Sequence, residues 1–156
     1  MADQYLARLK ELGFDLPPAG GSGGNYVPSR RTGNLLYISG QISAIGDEIT
    51  YAGKLGAEVT VAEGRKAAEL SALNLVAQLS HALGGNLDRL KACVRLGGFV
   101  NCTPGFDQQS EVMNGASDLM VALFGERGRH ARTSIGVANL PVNAAVEVDG
   151  IFEIAD

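Results

Sequence analysis

Apolar positions along this chain switch repeatedly between helical and strand spacing. Near the start, Tyr5, Leu6 and Leu9 fall on one side of a helix predicted over residues 2–12 and ending at Gly13. "LPPAGGSGG" then reads as a linker, with prolines to stop a helix and glycines for slack. Three stretches of strand character follow: "NYVPSR", "NLLYISGQIS" and a weaker one around "DEITYAG". Thr32-Gly33-Asn34 joins the first two as a hairpin. At 60–63 "TVAE" is a capping box, with Thr60 accepting at the helix start and Glu63 reaching back. Leu73, Val76, Leu79 and Leu83 then recur at helical spacing until Gly84-Gly85. "LKACVRLGGFVNC" returns to strand, its Gly97-Gly98 marking a bulge or a close backbone approach. A second helix is predicted from about Asp107 to Phe124, although Gly115 inside it costs ~1 kcal/mol of helix propensity. The stretch at 129–150, "RHARTSIGVANLPVNAAVEVDG", closes the chain as a β-hairpin.

Three strands, a helix, a strand, a helix and two strands describe an α+β domain: a mixed sheet with two helices on one face. Residues 1–24 stand apart as an N-terminal helix and Gly-rich linker, and residues 25–156 form the domain.

The closing hairpin carries the candidate chemistry. With Leu140-Pro141-Val142-Asn143 as its turn, Gly136 faces Glu147 and Arg132 faces Ile151. Residues two apart share a face, so Arg132, Ser134, Gly136 and Glu147 point one way, while Ile135, Val137, Val146 and Val148 form the core side. A guanidinium grips a carboxylate bidentately, and a glutamate beside a bound electrophile directs a water as general base. The pattern equally fits a solvated face with a weak surface pair.

Charge and composition narrow the field. Thirteen Lys and Arg against seventeen Asp and Glu give a net charge of −4, and no basic stripe exists to neutralise phosphates, so nucleic acid is not an expected partner. No apolar run approaches the ~20 residues of a membrane span, and the charged amphipathic start is no secretory signal. The cytoplasm is the expected location, with no membrane partner. Cys93 and Cys102 sit too far apart along one strand for a disulfide. Gly20-Gly21-Ser22-Gly23-Gly24 matches a hydrolase nucleophile motif formally, but it lies in a linker and not on a strand-to-helix turn. His81 and His130 are far apart, no ligand cluster for a metal appears, and His130 reads as a surface residue.

"YISGQI" at 37–42, "ARTSIGVANLP" at 131–141 and "VEV" at 146–148 together resemble the signatures of the RidA (reactive intermediate deaminase A) family, also called YjgF-like. The resemblance runs from about Asn25 to the end. It implies a chorismate-mutase-like fold and a homotrimer with a small-molecule cleft between each pair of subunits. It places the carboxylate-binding arginine at Arg132 and the water-holding glutamate at Glu147. Tyr26, Ser39 and Gly40 would line the cleft, with Asn114 and Ser134 as further substrate contacts. The implied reaction is hydrolysis of 2-aminoacrylate or related imines to a 2-keto acid and ammonia, with no cofactor and no metal.

The chain departs from the best-known deaminases of that family. Ser134 stands where those carry cysteine, Asn139 where they often carry arginine, and Tyr26 lies in an unfamiliar "NYVPS" context. These departures mark a sister branch. They keep a second reading in view, a non-catalytic binder or sensor of small carboxylates, and a third, ribonuclease or translation inhibition.

Overall fold

In the computed structural model, which describes residues 3–156, the chain opens with helix α1 (Gln4–Glu11). Asp3 caps it by accepting from the Tyr5 and Leu6 N–H groups, and its other oxygen accepts from Leu87 N–H. Tyr5 and Leu9 are buried, with the Tyr5 ring edge-on to Phe124 at 4.9 Å between centroids. The helix stops at Gly13, whose φ of 86° suits glycine.

Five strands form the main sheet: β1 (Ser29–Thr32), β2 (Leu35–Ile42), β5 (Leu90–Asn101), β6 (Ala131–Val137) and β7 (Val146–Ile154). Their order is β1-β2-β7-β5-β6, with β5 and β6 parallel and the other neighbours antiparallel. The β1–β2 hairpin turns at Gly33-Asn34 as the sequence predicts. The weak third strand falls outside the sheet: β3 (Ala44–Ile45) and β4 (Glu48–Ile49) pair only with each other.

Helices α2 (Val61–Ala82) and α3 (Gln109–Phe124) cover one face of the sheet, over Leu36, Ile38, Leu96, Val100, Val146, Val148 and Phe152. The capping box forms, Thr60 Oγ1 accepting from Glu63 N–H at 3.2 Å while Glu63 accepts from Thr60 N–H at 2.8 Å. Gly115 is where the helices touch, because a Cβ there would run into the Arg65 carbonyl. Packing therefore outweighs the propensity cost of that glycine. At Gly97-Gly98 the strand stays in register. A Cβ on Gly98 would collide with Met113, so close approach is the reason for the glycine.

The predicted closing hairpin does not form. β5 lies between β6 and β7, and residues 138–145 carry the chain across its end. That connection exceeds the two to five residues of a tight hairpin, and a parallel β5–β6 pair is what the intervening helix α3 allows. Val142 and Asn143 take positive φ of 52° and 57° in the crossing. The fully buried Asn101 pins it there: its side chain donates to the Gly53 and Ala144 carbonyls, its N–H to Ala145, and its Oδ1 accepts from Lys54 at 2.7 Å.

Cys93 and Cys102 are free thiols, and burial pushes Cys93 up to about 12. Among the described residues, no helix is long and apolar enough to cross a membrane, and no group of three His, Cys, Asp or Glu is placed to hold a metal.

Candidate functional site

The intervening strand moves Arg132 and Glu147 to opposite faces. Leu96 of β5 stands level with Arg132 on one side and Gly150 on the other, while Phe99 stands level with Ile135 and Glu147. Leu96 and Phe99 are three residues apart, so they point to different faces. Arg132 is therefore on the helix-covered face and Glu147 on the open one, correcting the shared face expected from the hairpin. Ile135 likewise leaves the core side, at 45% exposure.

Arg132 reaches from edge strand β6 to α3. Its Nη1 donates to Asn114 Oδ1 at 2.9 Å and to Ser117 Oγ at 3.0 Å, and its Nη2 donates to the Ser110 carbonyl at 3.3 Å. Three of the five guanidinium N–H groups are thus engaged among the described residues, leaving two, the number a bidentate carboxylate takes. Asn114, expected as a substrate contact, holds Arg132 from within α3 and not from the helix start. Its amide nitrogen donates to Glu111 at 3.4 Å, which turns Oδ1 toward the arginine. Ser134 lies on this face too, its hydroxyl buried without a partner.

Gly136 lies at the wall of a cavity, with its own Cβ position filled by neighbouring side chains. A Cβ there would stand 2.7 Å from Cys102 Sγ and 2.9 Å from Gln109 Nε2, which already fill the position. Both side chains, with Lys54 and Asn139, line a cavity of about 610 Å³ beyond the end of β6.

The other predicted residues gather around Glu147. Tyr26, Ser39, Gly40 and Glu147 line a second cavity of about 540 Å³, walled also by Pro18 to Ser22 of the Gly-rich segment. That segment is tied down where Gln78 Nε2 donates to the Gly20 carbonyl at 2.7 Å. Tyr26 folds back on it, its hydroxyl accepting from Gly23 N–H at 3.2 Å, and remains 57% exposed. Ser39 spends its hydroxyl on the Val27 carbonyl at 2.8 Å, so it fixes the Tyr26 segment as well as lining the cavity. Gly40 sits where the β2–β7 register shifts, and the Glu147 side chain lies across it. Half-burial, and secondarily the charge of Asp149, hold the Glu147 carboxyl above its ordinary value.

Sequence reasoning puts His130 at the surface and passes over Ser117. His130 is half-buried, its Nε2 2.8 Å from Ser117 Oγ and its Nδ1 2.6 Å from the Gly128 carbonyl, and so is no free surface histidine. Ser110, Asn114 and Ser117 follow helical spacing, so one stripe of α3 holds all three partners of Arg132. That stripe was the available signal for Ser117.

One chain thus presents two groups of candidate residues, one around Arg132 and one around Glu147, separated by the sheet.

A family model described as "YjgF/chorismate_mutase-like, putative endoribonuclease" matches residues 6–154. Protein TCP17 of Trypanosoma cruzi is 49% identical over 97% of this chain and 94% of its own length. The crystal structure of a protein of unknown function from Agrobacterium tumefaciens is 48% identical with a TM-score of 0.92, covering 97% of this chain and 92% of that one. RidA from an Antarctic Psychrobacter is 26% identical with a TM-score of 0.58, covering 90% and 96%.

Proposed function

The chain belongs to the YjgF/RidA-like family, and from that premise we propose that it hydrolyses small carboxylate-bearing enamines or imines to 2-keto acids and ammonia. The working unit is a homotrimer, in which the Arg132 half-site of one copy meets the Glu147 cavity of the next. The observation that carries this reading is the pair of half-sites on opposite faces: each has one component of the chemistry, and neither is complete in one chain. Tyr37 and Ile135, 43% and 45% exposed on the open sheet face, give a partner copy an apolar surface to cover.

The two free donors of Arg132 hold the substrate carboxylate. Glu147 takes a proton from water as its oxygen bonds to the carbon of the protonated imine, and the C=N electron pair moves onto nitrogen. The resulting neutral carbinolamine collapses when nitrogen receives that proton from Glu147 and leaves as ammonia, and the remaining hydroxyl gives its proton to the Glu147 carboxylate to form the ketone. A 2-aminoacrylate substrate first tautomerises to the imine. A carboxyl raised toward neutrality is a better base near pH 7 than an ordinary glutamate. An iminium carbon is already electrophilic, so orientation and one base suffice, without cofactor or metal.

The test follows pyruvate release from 2-aminoacrylate generated in situ, with wild type beside Arg132→Ala. Acceleration by wild type that disappears in the variant is the expected result. No acceleration by wild type, together with saturable binding of 2-ketobutyrate, would instead establish the alternative, a small-carboxylate binder. The endoribonuclease description of the family model supports a third reading, which the net charge of −4 disfavours. Retention on RNA at physiological salt is its test.

A further inference from the structure

The guanidinium of Arg132 is held by a chain of hydrogen bonds that ends in a histidine. A carbonyl oxygen only accepts, so the 2.6 Å contact between His130 Nδ1 and Gly128 O puts the ring hydrogen on Nδ1. Nε2 of the neutral ring then accepts, and the Ser117 hydroxyl donates to it at 2.8 Å. This leaves the Ser117 lone pairs for the 3.0 Å bond from Arg132. Asn114 acts from the other side, its oxygen on Arg132 and its amide on Glu111. Glu111 is itself fixed by Arg65 at 2.7 Å.

We propose that Ser117 and His130 are positioning residues that aim the free edge of Arg132 at the substrate carboxylate, and that they do so only while His130 is neutral. This rests on the reading of Arg132 as the carboxylate anchor. A proton on Nε2 turns the ring into a donor toward Ser117. The serine hydrogen then loses its acceptor, and a second cation stands behind the guanidinium.

The charged groups on the elements packed against His130 are few. Arg132 lies on β6, the strand that His130 leads into. In the preceding turn Arg129 pairs with Glu126 at 3.0 Å, and Arg127 donates to the Leu90 carbonyl. On α3, Glu111 and Asp118 are both held by Arg65. No carboxylate contacts the imidazole to favour its charged form, among the described residues. Burial, with the charge of Arg132, accordingly keeps His130 below the ordinary histidine value despite the Gly128 bond.

Two measurements decide the matter. The first is imidazole ¹⁵N NMR of the unmodified protein, which has only His81 and His130 to resolve. It is expected to find His130 as the Nδ1–H tautomer near pH 7.5, while an Nε2–H tautomer would overturn the relay. The second is calorimetric titration with 2-ketobutyrate at pH 7.5 and 5.5. Ser117→Ala and His130→Phe are expected to raise Kd roughly fivefold at pH 7.5, the effect of about one neutral hydrogen bond. His130→Gln, which offers Ser117 an acceptor that does not titrate, is expected to recover most of that loss and to remove the weakening expected of wild type between pH 7.5 and 5.5. Wild-type affinity and pH dependence in Ser117→Ala and His130→Phe, with binding lost in Arg132→Ala, would overturn the relay and leave the anchor standing. Wild-type binding by Arg132→Ala would overturn the anchor and the relay with it.

Discussion

Gly40→Ala isolates the placement of Glu147 from the stability of the fold. An alanine Cβ would stand 2.6 Å from Glu147 Oε1, 2.9 Å from its Cδ and 3.0 Å from its Cγ. Ordinary contact is about 3.5 Å, so the carboxyl group must retreat by roughly 1 Å. Gly40 does not have a positive φ, and the obstructing atoms belong to the end of a half-exposed side chain that can rotate away. The fold therefore loses little, with Tm expected within a few degrees of wild type. Catalysis is another matter, because a misplacement of ~1 Å at a reacting group costs on the order of a hundredfold. The assay is pyruvate release from 2-aminoacrylate under saturating conditions, beside a thermal unfolding scan. A fall of about a hundredfold in kcat with Tm nearly unchanged is expected. Wild-type kcat in the folded variant would refute the placement of Glu147 as the group that aims water.

Gly115→Ala should do the opposite, driving a methyl into the Arg65 carbonyl where α2 and α3 touch. Overpacking of this kind costs about 1–3 kcal/mol, and each kcal/mol lowers Tm by roughly 2–4 °C in a domain of this size. Calorimetric unfolding checks it. Stability should also carry the signature of Glu147. A carboxyl raised in the folded state binds more protons there than in the unfolded chain, so its contribution is full below the ordinary glutamate value and declines as pH rises through the elevated one. Glu147→Gln should remove that decline from a Tm–pH scan. His130, lowered in the fold, has the reverse sign: its contribution is present above the ordinary histidine value and is lost as pH falls through the depressed one. His130→Gln should flatten that acid-side loss.

The helices were readable because their signals are local. The Thr60–Glu63 box, the leucine spacing of α2 and Gly13 at the end of α1 each act within a turn or two. Strand pairing is not local. Read locally, the Leu140-Pro141 turn joins neighbouring strands and sets Arg132 opposite Ile151, whereas through β5 it stands level with Gly150. One residue of slip carries a whole set of side chains to the other face, and that alone separated Arg132 from Glu147. Family motifs, not periodicity, bring Tyr26, Ser39 and Gly40 together with Glu147, but the same motifs put Arg132 and Asn114 in that one cleft, whereas in the single chain those two lie across the sheet. The composition of the Gly-rich segment predicts slack, since it carries no trace of the Gln78 side chain that holds it against the cavity.

Subunit complementation is the measurement that reaches furthest. Arg132→Ala and Glu147→Gln, each expected to be inactive alone, are unfolded together and refolded as a mixture. If each site takes Arg132 from one copy and Glu147 from its neighbour, random assembly rebuilds intact sites in roughly a quarter of the interfaces, and about that fraction of wild-type turnover should return. A mixture as inactive as its components, with both variants folded and assembled as wild type, would contradict a site shared between copies.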